Sequence, residues 1–376
     1  MRAPSPHLSI VLAEIGFGGV GKMRMHLANA LVRQGYRVDL VLGHAPGGRP
    51  AGLDDEVPIF ELGTSHAWTG VPRLAAYLWQ RRPAVMLGQR IRVAVLMQRA
   101  RRLARLPVRL YTTVNTDLHR RFAYMEPGKA SRQRAQLRRH FPRLDGVFAI
   151  SRGVAASVAE MLPGAGGTVP VLPNPVLPPG GFGDQLAEPP HPWLKDKDEP
   201  VIMGMGRLQQ QKDFPTLLQA FARLCRRRPA RLIILGEGEE RARLWRIAEE
   251  LSLTKRVELP GRVADPRPWL THADVFVLSS LWEGLSNALI EAMAVGTSVV
   301  ATDCPSGPVE TLEDGRYGPL VAPGDDGAMA EAIETVLEQP MDPEQLRRAV
   351  GRFNVEASAE AYARALGLPT PRGWGQ

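Results

Sequence analysis

The sequence predicts an α/β protein of two doubly wound, Rossmann-like domains facing across a cleft, and three observations carry that expectation. Short apolar runs alternate with stretches of helical spacing. The alternation stops at a Pro- and Gly-rich stretch around residue 175 and then restarts. Several runs, VFVLS (275–279) among them, are apolar on both faces, as strands of a covered parallel sheet are. With 376 residues, 44% of them hydrophobic and 23% charged, the chain is too long for one ordinary core and too apolar for a disordered one.

In the first half, strands are expected at 9–15, 37–43, 84–88, 108–114 and 146–150, with helices at 21–35, 71–81, 90–105, 129–140 and 152–162. Prolines in VPVLPNPVLPPGG fix φ and withhold ladder hydrogen bonds, so that stretch reads as the connection between domains. The second half repeats the grammar, with strands at 200–206, 231–236, 257–261, 275–279 and 298–303 and helices at 213–228, 238–251 and 286–295. One last helical stretch covers 342–366. The expected domains are 1–175, binding the acceptor; 176–345, binding the donor; and 346–376, a C-terminal helix packing back on the N-terminal domain, then a tail. Such alternation implies right-handed crossovers, and ligands of such sheets bind beyond the carboxyl ends of the strands.

Composition excludes several classes. No apolar run approaches the roughly 20 residues of a membrane-spanning helix, and the run Leu8–Ala13 is short for a signal peptide. Cys225 and Cys304 lie far apart, without metal-ligand spacing, which suits a reducing cytoplasm. Charge is unevenly spread. Residues 1–180 hold 25 Lys+Arg against 10 Asp+Glu, a charge of +15; residues 181–376 hold 22 against 29, a charge of −7, and the two return the net +8. Within 90–143 fifteen basic residues face only Asp117 and Glu126. That field suits an anionic membrane surface, with the protein peripheral on the inner face of the cytoplasmic membrane, and a solvated face is the plainer reading. A nucleic-acid binder would interleave stacking aromatics, and this stretch offers only Tyr111, Phe122, Tyr124 and Phe141, so no nucleic-acid partner is expected.

The loop IGFGGVGKM (15–23) imitates two motifs. Gly16, Gly18 and Gly21 spell G-x-G-x-x-G, but the acidic partner of a dinucleotide site belongs at the end of the second strand, and Asp39 lies early in it. Gly16–Lys22 also reads G-x-x-x-x-G-K, yet Met23 stands where a P-loop needs a hydroxyl for magnesium. What remains is a strand-to-helix turn that either packs tightly or brings backbone N–H groups to an anion or a sugar.

The second half carries the sharper signal. In GMGRLQQQKDF (204–214), Arg207 and Lys212 sit on a loop at a strand's carboxyl end, where two cations can converge on a diphosphate. In EGLSNALIE (283–291), Ser286 is the expected N-cap, Glu283 precedes the helix and Glu291 lies about one turn inside it. Ionised carboxylates only accept hydrogen bonds and so grip paired hydroxyls. Two of them flanking a positive helix start fit a molecule with hydroxyls at both ends and an anionic middle, as a nucleotide sugar has. An N-cap loop with one solvated and one structural Glu is the other reading.

GRLQQQKDF, GEGEERARL, LPGRV and EGLSNALIEAMAVGTSVVATDCPSGPVETL together resemble, in order and spacing, the retaining glycosyltransferases of family four, which have the GT-B fold. The resemblance covers 200–325 strongly and the first half weakly, through Gly18 and Gly19. It implies that Arg207 and Lys212, beside Gly206, hold a donor diphosphate, that Glu283 meets the transferred sugar and that Glu291 meets the ribose. It further implies that Gly284, Leu285, Ser286 and Asn287 offer backbone donors and that the loop with Arg262 and Val263 faces the base. Family members often carry a first-lobe histidine near the reacting sugar. Here TTVNTDLHRR has Asn115 near that place, and His119 is the candidate. No metal and no cofactor is expected, since the two cations take over magnesium's charge role. The run DCPSGPVETL resembles the subset acting on bacterial glycans and lipid-linked oligosaccharides, which implies a UDP-sugar donor, a glycan or lipid-linked acceptor, and retention by front-face attack. A phosphorylase or epimerase of the same fold would use the same cleft without a glycan acceptor.

Overall fold

The computed structural model describes residues 6–14, 19–45, 48–64, 69–162, 168–182 and 188–371. The chain divides into two compact units, 1–179 with 353–376, and 180–352. Residues 176–179 therefore stay with the first unit and 346–352 with the second.

In the first unit six parallel strands, β1 (His7–Glu14), β2 (Arg37–His44), β3 (Ile59–Glu61), β4 (Val85–Gln89), β5 (Arg109–Val114) and β6 (Gly146–Ala149), lie in the order β3-β2-β1-β4-β5-β6. The winding reverses between β1 and β4, the kind of switch point beyond which ligands bind. Strand alternation separates two cores. Leu8, Ile10, Leu12, Leu40 and Leu42 pack against the helices Gly19–Arg33 and Val355–Ala365, while Val11, Val41 and Met86 pack against Gly70–Arg81 and Ile91–Ala104. Gly88 lets the last of these helices approach closely, because a Cβ there would stand 2.7 Å from Met97 Cε.

Asp39 serves a different purpose from a ribose ligand. It lies fully buried toward the amino end of β2, accepting from Arg81 Nε and Nη2 (both 2.9 Å) and from Tyr77 Oη (2.8 Å), with His7 Nε2 at 2.9 Å. Burial works to raise its pKa, but His7 close by and hydrogen bonds from Arg81 and Tyr77 outweigh it and hold the carboxyl well below the usual carboxylate range.

The second unit repeats the plan. Strands β7 (Val201–Met205), β8 (Arg231–Leu235), β9 (Val257–Gly261), β10 (Val275–Leu278), β11 (Ser298–Thr302) and β12 (Leu320–Val321) run in the order β12-β11-β10-β7-β8-β9, so β7 and β10 flank the switch point. Helices Phe214–Cys225 and Asp326–Glu338 pack one face, with Leu217, Phe221, Met329 and Ile333 fully buried.

The expected single helix over 342–366 is instead two. Pro343–Val350 ends in a 3₁₀ turn, Gly351–Phe353, and Val355–Ala365 restarts under an Asn354 cap whose side chain accepts from Ala357 N at 2.8 Å. Local capping overrode the helical spacing. The first piece packs on Asn287–Ala294 in the second unit, and the second buries Ala359, Tyr362 and Leu366 in the first. Within the first unit the two connecting segments lie side by side: Val176 N and Leu177 N both donate to Phe353 O at 3.0 Å, and Val355 N donates to Leu177 O at 2.9 Å.

Candidate active site

The site is built at the carboxyl ends of β7, β8 and β10, where three loops need glycine to approach one another. Gly236, after β8, has φ +140°, and a Cβ on it would stand 1.8 Å from the Gly206 carbonyl oxygen. Gly238 faces the Leu208 carbonyl in the same way, at 2.2 Å. The loop after β7 is thereby pressed against the loop after β8, and Gly206 N–Leu235 O (3.0 Å) and Leu208 N–Glu237 O (2.9 Å) stitch them together. Of these glycines the sequence reading had singled out only Gly206.

Gly206 makes room for a lysine. Its own Cβ would lie 2.8 Å from Lys212 Cε, so the lysine stem folds across the glycine. Lys212 ends a 3₁₀ turn, Gln210–Lys212, and Asp213 follows at φ 45° as the start of Phe214–Cys225. That turn is tied to the loop after β10 by three bonds: Leu281 N to Gln211 O (2.9 Å), Gln211 Nε2 to Trp282 O (2.8 Å) and Ser279 Oγ to Lys212 O (2.7 Å).

The outcome is an ion pair. Lys212 Nζ lies 2.5 Å from Glu283 Oε1, which also accepts from Ser280 Oγ at 2.7 Å. The side chains are 15% and 8% exposed, so two charges are held largely out of water. Ser280 carries no motif and Gln211 lies in GRLQQQKDF without a role read there; only the packing of two loops gives them one. Cys304, fully buried, completes the surroundings: burial first, then the charge of Glu283, pushes its thiol up to about 12.

Glu283 precedes the helix Asn287–Ala294, as expected, and Ser286 is its N-cap, its Oγ 3.5 Å from Leu289 N. Gly284 and Leu285 are buried and backed by Gly307, whose added Cβ would lie 3.0 Å from Leu285 Cα. Glu291 is 7% exposed in the helix's second turn, and its negative charge reaches the Arg267 guanidinium, which Asp265 also pairs at 2.6 Å. Arg207 is exposed on the loop after β7; Arg262, exposed, and Val263, half-buried, follow β9.

Lys212 and Glu283 are thus brought together, with Gly206 beneath the lysine and Gly284–Asn287 beyond the glutamate. His119 is described within its own unit. It belongs to the first unit, on the helix Leu118–Ala123, where its Nε2 pairs with Glu160 at 2.9 Å and half its side chain is exposed. Gly19 opens the helix Gly19–Arg33, and Gly18 lies outside the described residues, as does Gly16. Among the described residues no group of three or more His, Cys, Asp or Glu side chains could hold a metal ion, and no helix is long and apolar enough to cross a membrane.

Known proteins match both halves. A family model described as glycosyl transferase 4-like domain matches residues 18–175, and one described as glycosyl transferases group 1 matches 199–339. The lipopolysaccharide core biosynthesis glycosyltransferase LpsE of Rhizobium meliloti is 40% identical over 174 residues, 45% of this chain and 50% of LpsE. A Campylobacter jejuni N-acetylgalactosaminyltransferase, named for a diphospho-undecaprenol substrate, is 36% identical over 156 residues, 42% of this chain and 40% of that protein. The chain spans about half the length, or less, of these curated relatives. Among solved structures, Anabaena HepE in complex with UDP and glucose aligns with a TM-score of 0.76 at 20% identity, over 96% of this chain and 99% of that one. With a glycosyltransferase model matching each half and a GT-B fold of two Rossmann-like domains, this chain belongs to the glycosyltransferases.

Proposed function

We propose that this protein transfers a sugar, a hexose or N-acetylhexosamine, from a UDP-sugar to a glycan or lipid-linked acceptor, with retention at the anomeric carbon. The product belongs to bacterial polysaccharide, lipopolysaccharide or glycolipid. One observation carries the reading: Lys212 and Glu283, from the ends of two different strands, meet at 2.5 Å over a glycine cleared to admit them. In the proposed complex the donor diphosphate takes Lys212 with Arg207, and the released Glu283 accepts from hydroxyls of the transferred sugar. Backbone N–H groups of the Gly284–Asn287 helix start face the developing negative charge. Glu291 is assigned to the ribose and the loop with Arg262 and Val263 to the base. The leaving diphosphate is neutralised by side-chain cations, so the proposal includes no resident metal or cofactor. Attack from the leaving-group side accounts for retention. HepE, a structural neighbour, holds UDP and glucose, which supports a UDP-sugar donor.

The acceptor side of the reading rests on the first unit's charge. Trp79 and Leu103 are 54% and 50% exposed, and with Arg99, Arg102 and Arg105 they line a shallow depression of about 540 Å³. An aromatic, an aliphatic and three guanidinium groups on one patch suit the interface of an anionic leaflet, where each basic residue contributes about 1 kcal/mol. The protein is accordingly assigned to the inner face of the cytoplasmic membrane.

The test is a thermal-shift screen of UDP-, GDP- and ADP-sugars with the wild type and Glu283→Ala, followed by transfer assays on lipid-linked acceptors. UDP-sugars are expected to raise the melting temperature most, and the variant to lose transfer. A wild type stabilised by none of them would overturn the proposal.

A further inference from the structure

Two side chains donate to Glu283 in the second unit, and the glycosyl-transfer reading gives a role to only one of them. Lys212 Nζ and Ser280 Oγ both reach Oε1, at 2.5 and 2.7 Å. Sharing one oxygen turns the carboxylate so that Oε2 is left for another donor. In the proposed complex Lys212 is drawn to the donor diphosphate. The torsion that turns a glutamate carboxylate is broad, so a carboxylate that loses its fixed donors has several orientations open to it. Ser280, three residues before Glu283 on the same loop, is neutral and feels no such pull toward the diphosphate.

Ser280 is itself fixed. It is fully buried, and its carbonyl accepts from Thr302 Oγ1 at 2.6 Å. Thr302, also fully buried, ends β11, which pairs with β10 in parallel register up to Leu278–Ala301. The loop that carries Ser280 and Glu283 is thereby tied to the sheet on one side. On the other side Ser279 Oγ donates to Lys212 O at 2.7 Å and Leu281 N to Gln211 O at 2.9 Å. The two neighbours of Ser280 thus bind the lysine's loop, while the Ser280 side chain turns to the carboxylate. Thr302, Ser280 and Glu283 form a continuous series from β11 to Oε1, none of them more than 6% exposed. A hydrogen bond to an ionised group in such surroundings is stronger than in water and is not readily replaced by it.

We infer that Ser280 is a positioning residue for the transfer: its hydroxyl, anchored through Thr302 to β11, holds Glu283 in place when the diphosphate takes Lys212, so that Oε2 meets a hydroxyl of the transferred sugar. The inference rests on the glycosyl-transfer reading. It does not require Ser280 to touch the donor.

The experiment uses the full chain as wild type, Ser280→Ala, Glu283→Gln and the double variant. UDP release from UDP-glucose, UDP-galactose, UDP-N-acetylglucosamine and UDP-N-acetylgalactosamine is followed with lipid-linked acceptors, and UDP is titrated calorimetrically into each protein. Ser280→Ala is expected to lower kcat about tenfold, the loss of one hydrogen bond to a charged group, with the donor KM and the UDP affinity within about twofold of wild type. In the Glu283→Gln background the same change should cost only about twofold more, because the carboxylate that the hydroxyl serves is already gone. An unchanged kcat in Ser280→Ala would overturn the inference. So would a further tenfold loss in the double variant, which would show that the hydroxyl acts elsewhere than through Glu283. A fall in UDP affinity equal to the fall in kcat would overturn it as well, since a hydroxyl that merely shapes the two loops would disturb both. A wild type that turns over none of these UDP-sugars and binds no UDP would overturn the glycosyl-transfer reading itself; a wild type that turns them over beside an equally active Ser280→Ala overturns this inference alone.

Discussion

Replacing Glu283 with Gln keeps the shape of the side chain and an acceptor for Ser280 while removing one charge. Lys212, 15% exposed, would then hold an ammonium largely out of water with no countercharge. Breaking a buried pair from one side costs about 3–5 kcal/mol, and the residual exposure of both groups argues for less, about 2–3 kcal/mol. For a unit of this size that is a fall of roughly 5–10 °C in the melting transition of the second unit. Lys212→Met alone should cost a similar amount by stranding Glu283, but the double variant should regain most of it, giving a coupling energy of about 2 kcal/mol. Differential scanning calorimetry on the four proteins reads this directly. A double variant whose loss equals the sum of the two single losses would show that the pair carries no mutual stabilisation. The same Glu283→Gln protein should bind UDP at least as well as wild type, since Lys212 is freed, yet transfer sugar about 100-fold more slowly.

Four further outcomes follow from the geometry. Gly236→Ala forces a Cβ onto the Gly206 carbonyl at φ +140° and should cost about 3 kcal/mol or more in urea unfolding and weaken UDP binding more than tenfold. The depressed pKa of Asp39 contributes stability that is full above the unfolded value near 4 and is lost as pH falls toward the lower folded value. Urea titrations should show about 2 kcal/mol or more disappearing between neutral pH and pH about 2, and a shallower loss in Asp39→Asn. Burial raises both the Cys304 and the Cys225 thiol, so neither should react with a disulfide reagent at pH about 8 until the protein is unfolded. Binding to anionic vesicles should fall steeply as salt rises to about 0.5 M and weaken further in Trp79→Ala; sedimentation with vesicles measures both.

Much of this molecule was legible from local rules. Alternating apolar runs foretold the central strands of both sheets, because a strand buried on two faces has little choice of side chains. The start of the helix Asn287–Ala294 was readable from Ser286, since capping depends on immediate neighbours. Three things were not readable. The edge strands β3 and β12 are three and two residues long, and so short a stretch carries no period. The break at Gly351–Asn354 was hidden under continuous helical spacing, and the Asn354 cap together with the different packing partners of the two pieces explains it. The meeting of Lys212 with Glu283 depends on three bonds between loops 70 residues apart in sequence, a tertiary fact with no local signature. His119 was picked out by residue type alone, and in the first unit its side chain pairs with Glu160.

The pairing of ammonium and carboxylate also bears on how the catalyst resets. In the proposed reaction a spent nucleotide would hold the lysine but offer nothing to the glutamate, which would be left seeking its old companion. A loaded nucleotide would satisfy both. Re-formation of the internal bond therefore competes with the product and not with the substrate, so turnover should suffer little from accumulated UDP, and the ligand-free enzyme waits without a bare charge to hydrate.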